Sequence, residues 1–214
     1  MASVRPFRGT FYSLQVVKDL AGVTAPPYDI IDERKKEALL SRSPYNIVRL
    51  ELPQPGREGE FWNHSATLYR AWKKGEVLRA DHAPCLYLYR QSFDLLERGR
   101  ISRTGIIAAL ECKDFSSGEV MPHEMTFSQI RTERLQLLRA CRANFSQVFM
   151  VFRDAGEEVL PWLEEAMAGP AFLEFRDDEG VEHRLWRMEE GGGAEALAHT
   201  LAGRRMIIAD GHHR

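Results

Sequence analysis

Hydrophobic positions along this chain switch repeatedly between a helical and an alternating period, and the switching predicts the order of its elements. Asp32 is placed to cap a helix running to Leu40, with Pro44 stopping it. Phe61, Leu68, Tyr69 and Trp72 share one helical face closed by Gly75, and these aromatics read as core. Leu86 and Leu88 alternate with Tyr87 and Tyr89 as a strand, and the apolar stretch from Gly105 to Glu111 gives a second, the two pairing as a long hairpin. Ser128 is expected to cap a helix in which Ile130, Leu137, Leu138 and Cys141 share a face and Asn144 marks the end. Val148 to Phe152 reads as a buried strand, and Pro161 suits the first turn of a short helix. Ala171 to Arg176 and Glu182 to Met188 flank Asp177-Asp-Glu-Gly180 as another hairpin, and Ala194 to Leu201 forms a last helix before Gly203. Met206 to Ala209 is expected as a buried strand that breaks at Gly211.

Hairpins and helices in mixed order point to an α+β fold, with mixed and antiparallel sheets and flanking helices, rather than a doubly wound parallel sheet. Leu52 to Gly59 is the one clearly turn-rich linker, and Gly191-Gly-Gly193 is a second weak point. The 214 residues, 44% hydrophobic and 28% charged, suffice for one sizeable core or two small ones, so residues 1–214 are compatible with two subdomains sharing a cleft. Cys85, Cys112 and Cys141 are odd in number and contain no C-x-x-C pair, which argues against a disulfide framework or structural zinc and for buried thiols. A net charge of -2 without a basic block gives no support to a nucleic-acid partner. No apolar run has the length of a membrane span, and Met1-Ala-Ser-Val-Arg-Pro leads into mixed polar sequence, so no membrane partner and a cytoplasmic location are expected.

Candidate chemistry concentrates in three places. Asp210-Gly-His-His-Arg214 follows the last apolar run: Gly211 permits a sharp turn, and His212, His213 and Arg214 would meet an anion where backbone N–H groups converge. Arginine offers a planar fork for phosphate, and histidine donates, accepts or binds metal. The alternative is a solvated basic turn. His123 and Glu124 follow Met121-Pro122 in a loop before a capped helix, which makes Glu124 a candidate general base or metal ligand and His123 a phosphate contact or a group orienting the carboxylate. Glu124 could equally serve the positive end of that helix. In Ala25-Pro-Pro-Tyr-Asp29 two prolines fix a loop in which Asp29 could bind an amine or Mg2+ and Tyr28 could stack on a base, or which is simply a tight turn. Arg5, Arg8, Arg49 and Arg103 read singly as solvated arginines, and His64, His82, His183 and His199 as structural or exposed. Asp210 beside His212 and His213 is too loosely spaced to define a metal site, so the identity of any metal ligands stays unknown.

Arg5-Pro-Phe-Arg8, Ala25-Pro-Pro-Tyr-Asp-Ile-Ile31, Ser43-Pro-Tyr-Asn46, Leu86-Tyr-Leu-Tyr89, Arg103-Thr-Gly105, His123-Glu124, Arg134-Leu135, Asn144, His183-Arg-Leu-Trp186 and Ile208 to Arg214 run in an order that resembles the N-terminal half of a prokaryotic family of uncharacterised proteins, domain of unknown function 1015. That family often carries a lysine and Asp-Arg-Leu where this chain has Ser128-Gln129 and Glu133-Arg134-Leu135. The Asp210 to Arg214 turn resembles the phosphate-handling motif of the ParB/sulfiredoxin-like superfamily, which implies a ParB/sulfiredoxin-like element near the C-terminal end. That superfamily includes free-serine kinases. The resemblance therefore implies a nucleotide-dependent phosphotransferase acting on a small hydroxyl substrate such as L-serine, with ATP or ADP and Mg2+. In it Asp210, Gly211, His212, His213 and Arg214 would hold the cofactor, and Glu124 or Asp29, helped by His123, would take the hydroxyl proton. A non-catalytic nucleotide-binding module and a metal-assisted hydrolase remain as alternatives.

Overall fold

The computed structural model describes residues 3–53, 61–123 and 128–212. Strands β1 (Val4–Arg5) and β2 (Thr10–Tyr12) precede helices α1 (Glu33–Arg42), α2 (Val48–Glu51) and α3 (Phe61–Lys74). Then come β3 (Leu78–Ala80), β4 (Cys85–Leu95), β5 (Gly99–Ile107), β6 (Ala109–Leu110), β7 (Val120–Met121), α4 (Ser128–Cys141), β8 (Phe149–Phe152) and α5 (Leu160–Met167). The last elements are β9 (Leu173–Arg176), β10 (Glu182–Glu189), α6 (Gly192–Leu201) and β11 (Met206–Asp210). The fold is α+β with small, mostly antiparallel sheets. The chain divides into two compact units. The first comprises Met1–Gly9, Ala80–His123 and Phe149–Asp210, the second Thr10–Arg79, Glu124–Val148 and Gly211–Arg214. Of the turn-rich linker Leu52 to Gly59, only Leu52 and Pro53 fall among the described residues.

The first unit is organised by an antiparallel sheet of order β5-β4-β10-β9. Both expected hairpins form. Gly99, at φ +68°, closes β4 onto β5, and Asp177 Oδ1 accepts from the N–H groups of Glu179 and Val181 to close β9 onto β10. The two-residue period sends Leu86, Ile106 and Met188 to one face, where they pack with Val159 of the α5 approach and with Ala194, Leu197 and Leu201 at helical spacing on α6. Leu197 has no exposed surface, and cutting such a side chain to alanine costs about 2–5 kcal/mol. A second sheet, β7-β11-β8, joins the same core through Met206, Met150 and Phe152. Two expectations are corrected here. The strands at 148–152 and 206–209 are half-buried rather than buried, because this three-stranded sheet packs by one face only, leaving Phe149, Val151 and Ile207 exposed.

In the second unit Ala66 of α3 meets Leu137 and Cys141 of α4, with Trp62, Tyr69 and Phe145 around them. The inward face of α4 is Arg134, Leu137 and Cys141, at i, i+3 and i+7, so Leu138, expected on that face, is turned outward. The helix stops at Cys141, with Arg142 left-handed at φ +51°, before Asn144. Asp32 caps α1 as expected, its side chain accepting from Lys35 N–H at 2.7 Å. Arg49, read as a surface residue, instead donates to the Leu40 and Ser43 carbonyls and so satisfies the end of α1. Cys85 and Cys141 are buried free thiols, whereas Cys112, also free, is exposed, contrary to expectation. Among the described residues no helix is long and apolar enough to cross a membrane.

Asn46 ties this unit together. Fully buried, it donates from Nδ2 to the Gly22 and Thr24 carbonyls, both at 2.9 Å, and accepts from Val48 N–H at 3.0 Å. Asn46→Ala would strand three backbone groups away from water and is expected to lower unfolding stability by about 2–4 kcal/mol in a denaturant titration. Asn144→Ala, at an exposed position, should stay within about 0.5 kcal/mol of the parent; equal effects in the two variants would refute this role.

Candidate functional site

In the first unit β7 and β11 run parallel, Val120 opposite Met206 and Met121 opposite Ile207, so both strands point their carboxyl ends the same way. Pro122 ends β7 and His123 follows it. His123 Nδ1–H donates to the Ile208 carbonyl, which directs Nε2 away from the strand as the ring's acceptor in the neutral form. Ile208 is where β11 bulges: Ile208 pairs with Met150 and Asp210 with Phe149, leaving Ala209 between them without a partner. Bulges of this kind re-aim the chain and are frequent beside binding sites. Asp210 ends the strand with an exposed side chain, and Gly211 follows at φ +77°, a conformation that favours glycine. His123 and Asp210 thus share one end of a parallel pair. Glu124, His213 and Arg214 lie outside the described residues, and Gly211 and His212 are counted with the second unit.

Asp29 belongs to the second unit and does not join His123 and Asp210 within the first. Pro26 and Pro27 lead into a single 3-10 turn, Tyr28–Ile30, with Asp29 exposed. The Tyr28 ring lies against the Arg134 guanidinium, 4.2 Å from its centroid, while Trp62 approaches that guanidinium at 5.5 Å and Arg134 Nη2 donates to the Glu51 carbonyl. Arg134 is buried, so the arginine of Glu133-Arg134-Leu135 joins α4, the end of α2 and the Tyr28 turn. A cleft of about 380 Å³ opens beside it, with Lys36, Glu51 and Glu133 on its walls.

Two clusters of the first unit escaped sequence reasoning. His183 is buried on β10, its Nδ1 2.6 Å from the Tyr89 hydroxyl and its Nε2 3.0 Å from Asp177 Oδ2, with the ring stacked on Phe175 at 4.6 Å. Burial pushes the Tyr89 phenol up to about 12. Burial also raises Asp177, but hydrogen bonds from His183 and the Val181 N–H outweigh it and hold the carboxyl below the usual range. Asp177 stands six residues before His183 across a turn that it closes itself, which is the one sequence signal that could have linked them. Asp81, almost wholly buried, forms an ion pair with the Arg187 guanidinium, its oxygen 2.6 Å from Nε, and accepts from the Tyr87 hydroxyl at 3.1 Å and from the His82 N–H. Among the described residues no three His, Cys, Asp or Glu side chains converge to hold a metal.

A two-unit α+β protein with a carboxyl-end loop pair in its first unit is the class that these observations define. Residues 4–214 match the family model described as "Protein of unknown function (DUF1015)", and the chain belongs to that family. Neither the curated proteins nor the solved structures give a match.

The Asp81 cluster makes stability depend on pH. Burial raises its pKa, but the His82 N–H, the Arg187 charge and the Tyr87 hydroxyl lower it further, so in the folded state it lies below the ordinary value. The unfolded chain then binds the proton more readily, and the stabilisation is complete above the unfolded pKa of about 4 and lost as pH falls through the folded one. Urea midpoints measured from neutral to acid pH should therefore drop less steeply in Asp81→Asn, which starts from a lower stability; parallel curves would remove Asp81 from the acid transition.

Proposed function

We propose that this chain carries the nucleotide-binding part of a small-molecule phosphotransferase, of the free-serine-kinase kind. The observation that most supports it is the shared end of β7 and β11: His123 is anchored on the Ile208 carbonyl, and Asp210 leads into a glycine of positive φ. Ligands of parallel strands collect at their carboxyl ends, and phosphates favour turns rich in N–H groups. The resemblance of Asp210 to Arg214 to the ParB/sulfiredoxin-like phosphate motif points the same way. In this reading His212, His213 and Arg214 take the phosphates of ATP or ADP, with Gly211 letting the backbone approach. Glu124 accepts the proton of the attacking hydroxyl, with Asp29 as the rival for that role, and His123 orients the carboxylate or contacts phosphate. Phosphoryl transfer asks the protein mainly for placement and charge neutralisation, which this residue set supplies. Mg2+ binds through one or two carboxylates plus substrate phosphates, and the exposed carboxylate of Asp210 fits that requirement. When bound, the ion would neutralise phosphate charge. A small-molecule substrate in the cytoplasm, with neither nucleic acid nor membrane as partner, goes with the proposal.

The test mixes the full-length protein with ATP or ADP and L-serine and follows nucleotide release. Glu124→Gln should keep nucleotide affinity and lower turnover by about 10²–10⁴-fold. Arg214→Ala should weaken nucleotide binding by about 1.5–3 kcal/mol in titration calorimetry. Nucleotide binding without transfer to any small hydroxyl compound would favour a non-catalytic binding module. No binding of either nucleotide would end the proposal.

A further inference from the structure

Three segments singled out in the sequence meet on one face of the β5-β4-β10-β9 sheet, the face opposite Leu86 and Met188. Arg103, Gln91, His183 and Phe175 form a single cross-strand row, and Gly105, Tyr89, Leu185 and Leu173 form the next. Tyr89 reaches diagonally from the second row to His183 in the first.

Arg103 is exposed but held. Its Nε donates to Gln91 Oε1 at 2.7 Å, and its guanidinium lies 5.9 Å from the Phe93 ring centroid and 5.7 Å from that of Phe149. Of the other arginines of this sheet, Arg100 pairs with Glu182, Arg184 with Glu174 and Arg187 with Asp81, while Arg90 donates to the Thr104 hydroxyl. Among the described residues no carboxylate pairs with Arg103. With Nε occupied and rings nearby, the guanidinium is oriented before any partner arrives, and its two terminal nitrogens can present a fork to an oxyanion.

Gly105 supplies the space. It sits in mid-strand opposite Tyr89, its φ is not positive, and a Cβ added there would meet nothing within 4 Å. Neither backbone conformation nor crowding requires glycine, and glycine weakens a strand. What glycine leaves is a gap in the row of side chains, an open notch with Tyr89 opposite it across the strand and Arg103 two residues back.

We propose that this notch binds a small oxyanion, a carboxylate or a phosphate group, between the Arg103 guanidinium and the Tyr89 hydroxyl. The site uses none of the residues assigned to the phosphotransferase and stands without that reading. His183 and Asp177 are positioning residues. The Asp177 carboxylate accepts from His183 Nε2–H, which leaves Nδ1 as the ring nitrogen that meets the Tyr89 hydroxyl. Bare, Nδ1 accepts the Tyr89 proton and turns it away from the notch. Protonated, Nδ1–H donates to the Tyr89 oxygen, freeing the hydroxyl proton for the oxyanion. The charged or titratable groups facing His183 are Asp177 from the β9–β10 turn and Tyr89 from β4, with Phe175 of β9 as its apolar side and Arg103 of β5 at the end of the row.

The experiment titrates inorganic phosphate and, separately, acetate into the full chain labelled with ¹⁵N-histidine, following the His183 ring signals. A saturable shift is expected, stronger as pH is lowered, and the ion that binds more tightly identifies the anion class. Arg103→Met should weaken binding about tenfold or more. Gly105→Val, which fills the notch, should do the same while leaving the melting temperature unchanged or higher; Gly105→Ala replaces it if the valine variant does not fold. His183→Gln should flatten the pH dependence, read through the Tyr89 ring signals. The proposal fails if neither ion gives a saturable shift, or if both survive Arg103→Met and the glycine substitution with unchanged affinity.

Discussion

The antiparallel register between β4 and β10 is the constraint on which the first unit depends. Eight consecutive pairs, from Glu182 opposite Ser92 to Glu189 opposite Cys85, decide which side chains enter the α5–α6 core and which line the opposite face. Because side chains alternate, a slip of one residue would exchange Leu86, Leu88 and Met188 for Tyr87, Tyr89 and Arg187. The register is secured by more than apolar burial. Trp186 Nε1 donates to the Gly169 carbonyl on one face, while on the other Tyr89 bonds His183 and Asp81 pairs with Arg187. A shifted pairing would break these polar links and leave buried donors and acceptors unmet.

The same economy recurs in the second unit, where buried polar groups fasten short elements that could not hold themselves. Helix α2 has four residues, too few to be stable alone. Ser65 donates to the Leu50 carbonyl, Ser146 to the Glu51 carboxylate and Arg134 to the Glu51 carbonyl, so three distant segments hold its C-terminal end. Trp72 completes the packing between the rings of Tyr12 and Tyr45.

Local pattern carried the fold a long way. The tyrosine-leucine alternation at 86–89, the Asp177 to Gly180 turn and the Asp32 cap each encode their structure within a few residues. Errors arose where burial is decided by something outside the segment. Val151 and Ile207 are as apolar as core residues, but their sheet packs by one face, and Leu138 sits one position off the stripe that α3 selects. Arg49 reads as a surface residue, and His183 stays open between structural and exposed, because their partners cannot be seen from their own neighbourhood: the Tyr89 hydroxyl lies 94 positions from His183. The candidate site was legible as motif more than as geometry. Parallel pairing of β7 with β11 joins residues some 85 positions apart, as the His123 contact with Ile208 shows, and no period in the sequence announces it.

The units are interleaved along the chain, and this bears on how the molecule is made. β1 needs β6 as its partner, and β11 needs β7 and β8, so the first unit draws on both its earliest and its latest segments. During synthesis it cannot close until residue 210 has emerged, long after β4 and β5 have formed their hairpin. Until then the apolar face of that hairpin waits without α6, exposed to chance partners. No single cut in the chain would release either unit intact.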